Sequence, residues 1–322
     1  MSIETEAVLD RRALRRRLTA WRSAFIVAGV IAAGAAAFAL GAGESLSRQP
    51  QIARVTIEGL ITEDRQQLRM LERLAKAPNV AGVILSINSG GGTTTGGEAL
   101  FEAIRSVAKT KPVVAQFGTV AASAAYICGL AADHIVARGN SITGSVGVIF
   151  QWPEVSGLLD KVGVKMNEIK SGPLKAVPSM FEPISPGGRQ VAEQMVAESQ
   201  LWFLSLVKAR RGIETAGVPG LEQGRVFSGR EAVTFKLIDE VGGEAEAIKW
   251  LETKRGVAAK LRVVDWRPAA TGSSGIFNWL GLAMAGLWAG AVAENTVLSQ
   301  FDTLKSRLAL DGLVSIWQPH EK

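Results

Sequence analysis

The stretch Val80-Ala81-Gly82-Val83-Ile84-Leu85-Ser86-Ile87-Asn88-Ser89-Gly90-Gly91-Gly92 sets the fold class of this chain. A short apolar run closed by a glycine turn signal reads as a buried strand, and strands buried on both faces belong to parallel sheets. On its N-terminal side, Glu63 to Lys76 places Leu68, Leu71 and Leu74 at helical spacing, and Ile52 to Ile57 alternates as a strand. Toward the C-terminus, Gly97 to Lys109 reads as a helix, Pro112 to Phe117 as a strand and Ala121 to Ala132 as a small-residue helix. His134 to Ala137 and Gly147 to Phe150 read as further strands. Val155 to Val162 then predicts a helix, Lys165 to Ile169 a strand, and Gly188 to Arg211 one long helix with Val191, Met195, Trp202 and Leu206 on its apolar face. Strands alternating with helices predict a mainly parallel α/β sheet.

The composition fits that reading. A chain of 322 residues has room for one or two domains and a large core. Hydrophobic residues make up 47% and charged residues 20%, which excludes a disordered chain and gives an apolar excess typical of a membrane segment. The formal net charge is +6, but residues 1–22 hold six arginines against Glu4, Glu6 and Asp10. That segment therefore carries +3 and leaves +3 for all the rest, so no broad basic surface supports nucleic-acid binding. A single cysteine, Cys128, rules out an intramolecular disulfide and a Cys-rich zinc site. Two histidines argue against a His-ligated metal centre, and neither a metal nor another cofactor is expected.

All 19 residues from Ala24 to Ala42 are Ala, Gly, Val, Ile, Leu or Phe. As a helix such a run spans about 28 Å, close to the hydrocarbon thickness of a bilayer. The arginines precede it, whereas Glu44 and Arg48 follow, so the positive-inside rule places the N-terminus in the cytoplasm and the remainder outside. The expectation is a single-pass anchor at 23–43 in a bacterial inner membrane, with the folded domain on the periplasmic side. A cleaved signal peptide and a buried core helix are the alternatives. A second uncharged stretch, Gly275 to Ala293, carries Trp279 and Trp288 and suits a helix in the membrane interface or between subunits, a second span being the alternative. The expected organisation is a basic tail at 1–22, the anchor, a linker at 44–51, a folded domain at 52–265 and a C-terminal segment at 266–322.

Three stretches begin where a predicted strand ends, the usual place for ligands in open α/β sheets. In Ser89-Gly90-Gly91-Gly92 the glycines let backbone N–H groups approach a reacting atom, as an oxyanion hole requires; a simple flexible turn reads equally well. A phosphate loop fits poorly, because no Lys-Ser or Lys-Thr follows. In Gly118-Thr119-Val120-Ala121-Ala122-Ser123-Ala124-Ala125-Tyr126, Ser123 stands at the start of a helix among small apolar residues. It reads as a nucleophile or as a helix N-cap. A histidine base looks absent: His134 begins a strand and reads as structural, and His320 lies in a polar tail. Lys175, in the turn-rich Lys170-Ser171-Gly172-Pro173-Leu174-Lys175, becomes a base if apolar burial favours its neutral form; a solvated surface lysine is the alternative. Cys128 has no acid or base at motif spacing and is not expected to be a nucleophile.

Taken together these segments resemble the signal peptide peptidase SppA family of membrane-anchored serine proteases, in its short form with one catalytic domain. The resemblance rests on five motifs in order. They are Val83 to Asn88 with Ser-Gly-Gly-Gly, Ala121-Ala122-Ser123 with Ala-Ala-Tyr, Thr143-Gly144-Ser145-Val146-Gly147-Val148, Lys170-Ser171-Gly172 with Lys175, and Gly224-Arg225-Val226-Phe227-Ser228-Gly229 with Leu237-Ile238-Asp239. It covers about residues 52 to 245. It implies a ClpP/crotonase-like spiral of ββα units, with Ser123 as nucleophile, Lys175 as general base and Ser145 orienting the lysine. It also implies oxyanion-hole amides from Gly92 and Ala124, with Gly91 shaping the turn. Gly90 replaces the family's proline, Ala124 and Ala125 replace Gly-Gly, and Lys236 stands where glycine is usual. The implied activity is hydrolysis of peptide bonds, including those of signal-peptide remnants, at the surface of the lipid bilayer. The implied assembly is a homo-oligomeric ring, with an octamer as the candidate number, in which one protomer's lysine serves the next protomer's serine. A non-catalytic membrane-anchored scaffold on the same fold is the rival reading.

Overall fold

A computed structural model describes residues 18–19, 21–30, 32, 34, 49–268 and 314–316. Contacts divide the chain into two units, Met1–Pro50 and Gln51–Lys322. In the first, residues 21–30 are helical, and Trp21, Phe25, Ile26, Val27 and Val30 are exposed. No helix among the described residues is long and apolar enough to cross a membrane. Most of the Ala24 to Ala42 run, and all of Gly275 to Ala293, lie outside the described residues.

The second unit is a mixed, mainly parallel sheet with helices on both faces. In chain order it runs β1 (Gln51–Ile61), α1 (Arg65–Lys76), β2 (Val80–Thr93), α2 (Thr94–Ala108), β3 (Val113–Ala122) and α3 (Ala124–Leu130). Then follow β4 (His134–Ala137), β5 (Ile142–Gly144), α4 (Ser156–Lys161) and α5 (Pro186–Arg211). The unit ends with β6 (Val226–Ser228), α6 (Gly229–Thr234), β7 (Glu240–Val241), α7 (Glu244–Arg255), β8 (Arg262–Trp266) and β9 (Val314–Ile316). The main strand order is β6-β5-β3-β2-β1-β8. Among the described residues only the β5–β6 and β2–β9 pairs are antiparallel.

The predicted strands at 52–57, 80–87, 112–117 and 134–137 all form, for the expected reason. One core cluster packs Val55, Leu85, Ala115 and Ile135 against α1, α2 and α3, while Ile52, Ile84, Val114 and Val136 form a second with Ala247 and Leu251 of α7. Strands β2 and β3, covered on both sides, therefore read as apolar runs, whereas β1 alternates from Val55, with Thr56 and Glu58 exposed. Each fully buried Leu, Ile or Val of these clusters contributes about 1.5–3 kcal/mol. Side-chain caps fix the helix starts: Asp64 accepts from the Gln66 amide at 2.8 Å, Thr93 from Gly96 at 3.0 Å and Ser185 from Gly188 at 3.1 Å.

Several expectations fail. Strand β2 does not stop at Ile87 but stays extended through the glycines to Thr93, because β1 continues beside it to the Ile61–Gly92 pair. Strand β3 likewise runs on to Ala122, so the small-residue helix begins at Ala124. Gly147 to Phe150 forms a single bridge at Ile149 rather than a strand, and Lys165 to Ile169 is not a strand, since neither builds a ladder with a neighbour among the described residues. Helix α5 forms, but its N-terminal half leaves the core. Val191 and Met195 are exposed, and the buried face is Gly188, Ala192, Phe203 and Val207, with Trp202 and Leu206 packed at its margin.

Candidate active site

The two glycines at the end of β2 are dictated by backbone contact. Gly91 holds φ +117, a region open to glycine. A Cβ on Gly92 would lie 1.8 Å from the Ile61 carbonyl oxygen. The Gly91 N–H donates to Ser89 Oγ at 3.0 Å, and the Ser89 hydroxyl donates to the Gly59 carbonyl oxygen at 2.5 Å. Gly91 is therefore a turn-shaping residue here, with its own amide engaged. The same strand end carries β9 in antiparallel register, Gly91 opposite Ile316 and Thr93 opposite Val314.

Across the sheet, Ser89 pairs with Ala121, which brings the glycine strand beside the last turn of β3. Immediately after it, Ser123 holds φ +59 and ψ −124 at the junction of β3 and α3. A non-glycine residue in such a conformation costs about 1–3 kcal/mol, which the surrounding structure must supply. N-caps normally sit in the extended region with the side-chain oxygen on a first-turn amide. Ser123 does neither: its side chain makes no cap hydrogen bond, and only its carbonyl starts the helix by accepting from Ile127 at 3.1 Å. The capping alternative thus gives way to a strand-to-helix elbow of the kind that presents nucleophiles. Small neighbours permit it, since Ala121, Ala122, Ala124 and Ala125 are all buried around the turn. Ala124 is the first residue of α3, so its N–H lies outside the helix's own ladder.

Ser145 arrives from the next strand. Ala122 is in register with Gly144, and the Ser123 N–H donates to the Gly144 carbonyl at 2.9 Å, so the two serines are separated by one hydrogen-bonded peptide. Gly144 at φ +85 and Ser145 at φ +51 form two successive left-handed residues. They are held because the Ser145 N–H donates to the Arg225 carbonyl at 2.9 Å and β6 pairs antiparallel with β5. The Gly224 to Gly229 motif is thus a brace behind Ser145. Tyr126 is fully buried and donates to the Leu237 carbonyl at 2.8 Å, which ties α3 to the Leu237-Ile238-Asp239 motif.

The sequence profile of peptidase family S49 matches residues 105–258, a span that contains Ser123, Ser145, Lys175 and the brace. A protein of Methanocaldococcus jannaschii with a protease name is 34% identical over 194 residues, covering 60% of this chain and 62% of the relative. A second protein with a protease name, from Synechocystis, is 30% identical over 66% of this chain and 76% of its own. The chain belongs to peptidase family S49. A relative from Enterococcus faecium that carries the name signal peptide peptidase SppA is 29% identical over 79% of this chain and 77% of its own. Membership makes the protein a serine-type peptidase.

Within this S49 chain, Lys175 does not sit in the apolar pocket anticipated for it. It is exposed, in a turn closed by its own N–H on the Gly172 carbonyl at 3.1 Å. That turn rests on the start of α5, where Cβ atoms built on Gly187 and Gly188 would meet Leu174 at 3.4 Å and Val177 at 2.0 Å. Among the described residues the flanking Leu174 is exposed as well. The neighbouring Lys170 is a different case. Hydrogen bonds to Glu182 and Glu168 hold its pKa above the ordinary lysine value, so it stays charged. His134 lies in register with Val114, nine residues before Ser123 on β3, about 30 Å away along an extended strand. It stacks on Trp250 at 4.8 Å and contacts Glu240 at 3.1 Å, a structural role as read from the sequence. Cys128 is wholly buried in α3, which pushes its thiol up to about 12. His320 lies outside the described residues. Gln200, whose Nε2 donates to the Val146 carbonyl, carries no sequence signal, because a mid-helix glutamine in a long helix belongs to no motif.

Proposed function

We propose that the protein is a membrane-tethered serine endopeptidase that cleaves extended polypeptides, signal-peptide remnants among them, through a Ser-Lys dyad. The observation that carries this reading is the elbow at Ser123, a strained, non-capping serine beside a buried second serine. In the proposed cycle Ser123 Oγ attacks the scissile carbonyl carbon while Lys175 Nζ takes its proton. The oxyanion forms against the amides of Gly92 and Ala124, the C–N bond breaks as the lysine returns the proton to the departing amine, and water then hydrolyses the acyl-enzyme. Ser145 orients the lysine. An extended substrate is favoured by the glycine strand end, whose backbone accepts an antiparallel partner in β9.

Two features favour assembly into a ring that completes the site. Leu158, Val162, Val164, Met166, Ile169 and Leu174 are all exposed in the segment carrying Lys175, apolar side chains that a neighbouring subunit would cover. In addition, β3 pairs with β4 through its first half and β5 through its second, a change of neighbour that fits the proposed ClpP/crotonase-like spiral. Tethering at an inner membrane, with the catalytic unit on the periplasmic side, rests on the apolar run and the arginines before it.

The test is labelling of the full-length protein in detergent with a fluorophosphonate, followed by mapping of the modified peptide. Modification at Ser123, with loss of both labelling and peptide hydrolysis in Ser123→Ala, is expected. A folded wild type that neither turns over peptides nor labels is a scaffold. Co-assembled Ser123→Ala and Lys175→Ala chains should recover about one quarter of sites if serine and lysine come from different protomers. No recovery in verified mixed rings places both in one chain.

A further inference from the structure

We infer that Gln200 is a positioning residue for the Ser145 segment, an inference that rests on the proposed roles of Ser123 and Ser145. Gln200 is on the same face of α5 as Phe203 and Val207, three and seven residues later, both fully buried. It is the polar end of that buried stripe, at the point where α5 leaves the core. Its Nε2 donates to the Val146 carbonyl and to the Glu222 carbonyl, each at 3.2 Å. The first acceptor belongs to the residue after Ser145. The second lies three residues before Arg225, whose carbonyl holds the Ser145 N–H. One carboxamide therefore clasps together the strand that presents Ser145 and the loop that braces it.

The other end of the carboxamide supports the same conclusion. Among the described residues, Gln200 Oε1 is the one buried side-chain polar atom without a hydrogen-bond partner. Leaving a buried acceptor unmet is unfavourable, and such an atom calls for an explanation. Here the explanation is that the side chain is oriented by its two donors rather than its acceptor. The β5 ladder ends at Gly144, Ser145 follows it in a left-handed conformation, and the peptide after Ser145 is fixed by Nε2 from outside the sheet. Helix α5 also carries the Lys175 turn at its N-terminal end, against Gly187 and Gly188. Gln200 is thus the point where the helix bearing the lysine segment is tied to the strand bearing Ser145.

The experiment measures kcat and KM for peptide hydrolysis by the full-length protein carrying Gln200→Ala, Gln200→Glu, Ser145→Ala or the Gln200→Ala/Ser145→Ala pair. Gln200→Glu keeps the side chain's size and removes both donors at neutral pH, so it reads the inference even if the alanine variant folds poorly. Each Gln200 variant should lower kcat about 10- to 100-fold, the scale of an ångström of misplacement, with KM changed less than about two-fold. In the Ser145→Ala background Gln200→Ala should cost less than about two-fold more, because its effect passes through Ser145. Wild-type kcat in folded Gln200→Glu, or a full additive loss in the double variant, overturns the inference. Wild-type kcat in Ser145→Ala overturns it too, and marks the failure as one of the underlying site reading, since it appears without any change at position 200.

Discussion

Gly92→Ala tests whether the end of β2 is set by backbone contact. The added Cβ would start 1.8 Å from the Ile61 carbonyl oxygen and 2.5 Å from its carbon. To reach even 3.0 Å, the shortest separation real Cβ atoms show, the pair must part by about 1.2 Å. Both atoms are main chain, in register in the β1–β2 ladder, so no side-chain rotation relieves the clash. Overpacking of this kind costs about 1–3 kcal/mol, which lowers Tm by about 2–12 °C for a domain of this size. Displacement of the strand end by an ångström should also lower kcat/KM about 100-fold, as the proposed oxyanion amide moves with it. Gly157→Ala is the control, because a Cβ there meets nothing within 4 Å. Thermal unfolding and peptide hydrolysis on both variants decide the matter: a Gly92→Ala protein with wild-type Tm and turnover would refute the argument from backbone contact.

Lys175→Arg should be as inactive as Lys175→Ala, because a guanidinium stays protonated and cannot accept the serine proton; an active arginine variant would move the base elsewhere. Cys128 should resist thiol reagents in the native protein and react only after denaturation, given its burial and raised pKa; prompt native labelling with loss of activity would contradict that. The Arg54 guanidinium, bonded at 2.6 Å, holds the Asp265 carboxyl below the usual carboxylate range. A depressed pKa stabilises the folded state above the ordinary value and loses that effect as pH falls, so the Tm gap between wild type and Asp265→Asn should be present at pH 7 and shrink below about pH 4. A gap that persists at low pH would show that Asp265 acts by packing instead.

The α/β class and the buried strands were legible in the sequence, because the short apolar runs Val83 to Ile87 and Val113 to Phe117 alternate with segments of helical period. The sequence also marked Ser123 and the Gly90-Gly91-Gly92 run as special, since small residues in a row are a local, one-dimensional signal. Three things needed the tertiary structure. Whether Ser123 caps α3 or forms an elbow depends on a φ of +59 and on the carbonyl of Gly144, 21 residues later, which accepts from its N–H. Whether Gly147 to Phe150 and Lys165 to Ile169 become strands depends on a neighbour to pair with, which periodicity cannot supply. The face of α5 depends on where the helix leaves the core. Its sequence places Val191 and Met195 on one apolar stripe with Trp202, but only packing against Phe203 and Val207 selects the buried half and leaves Gln200 at the boundary, facing the strand that presents Ser145.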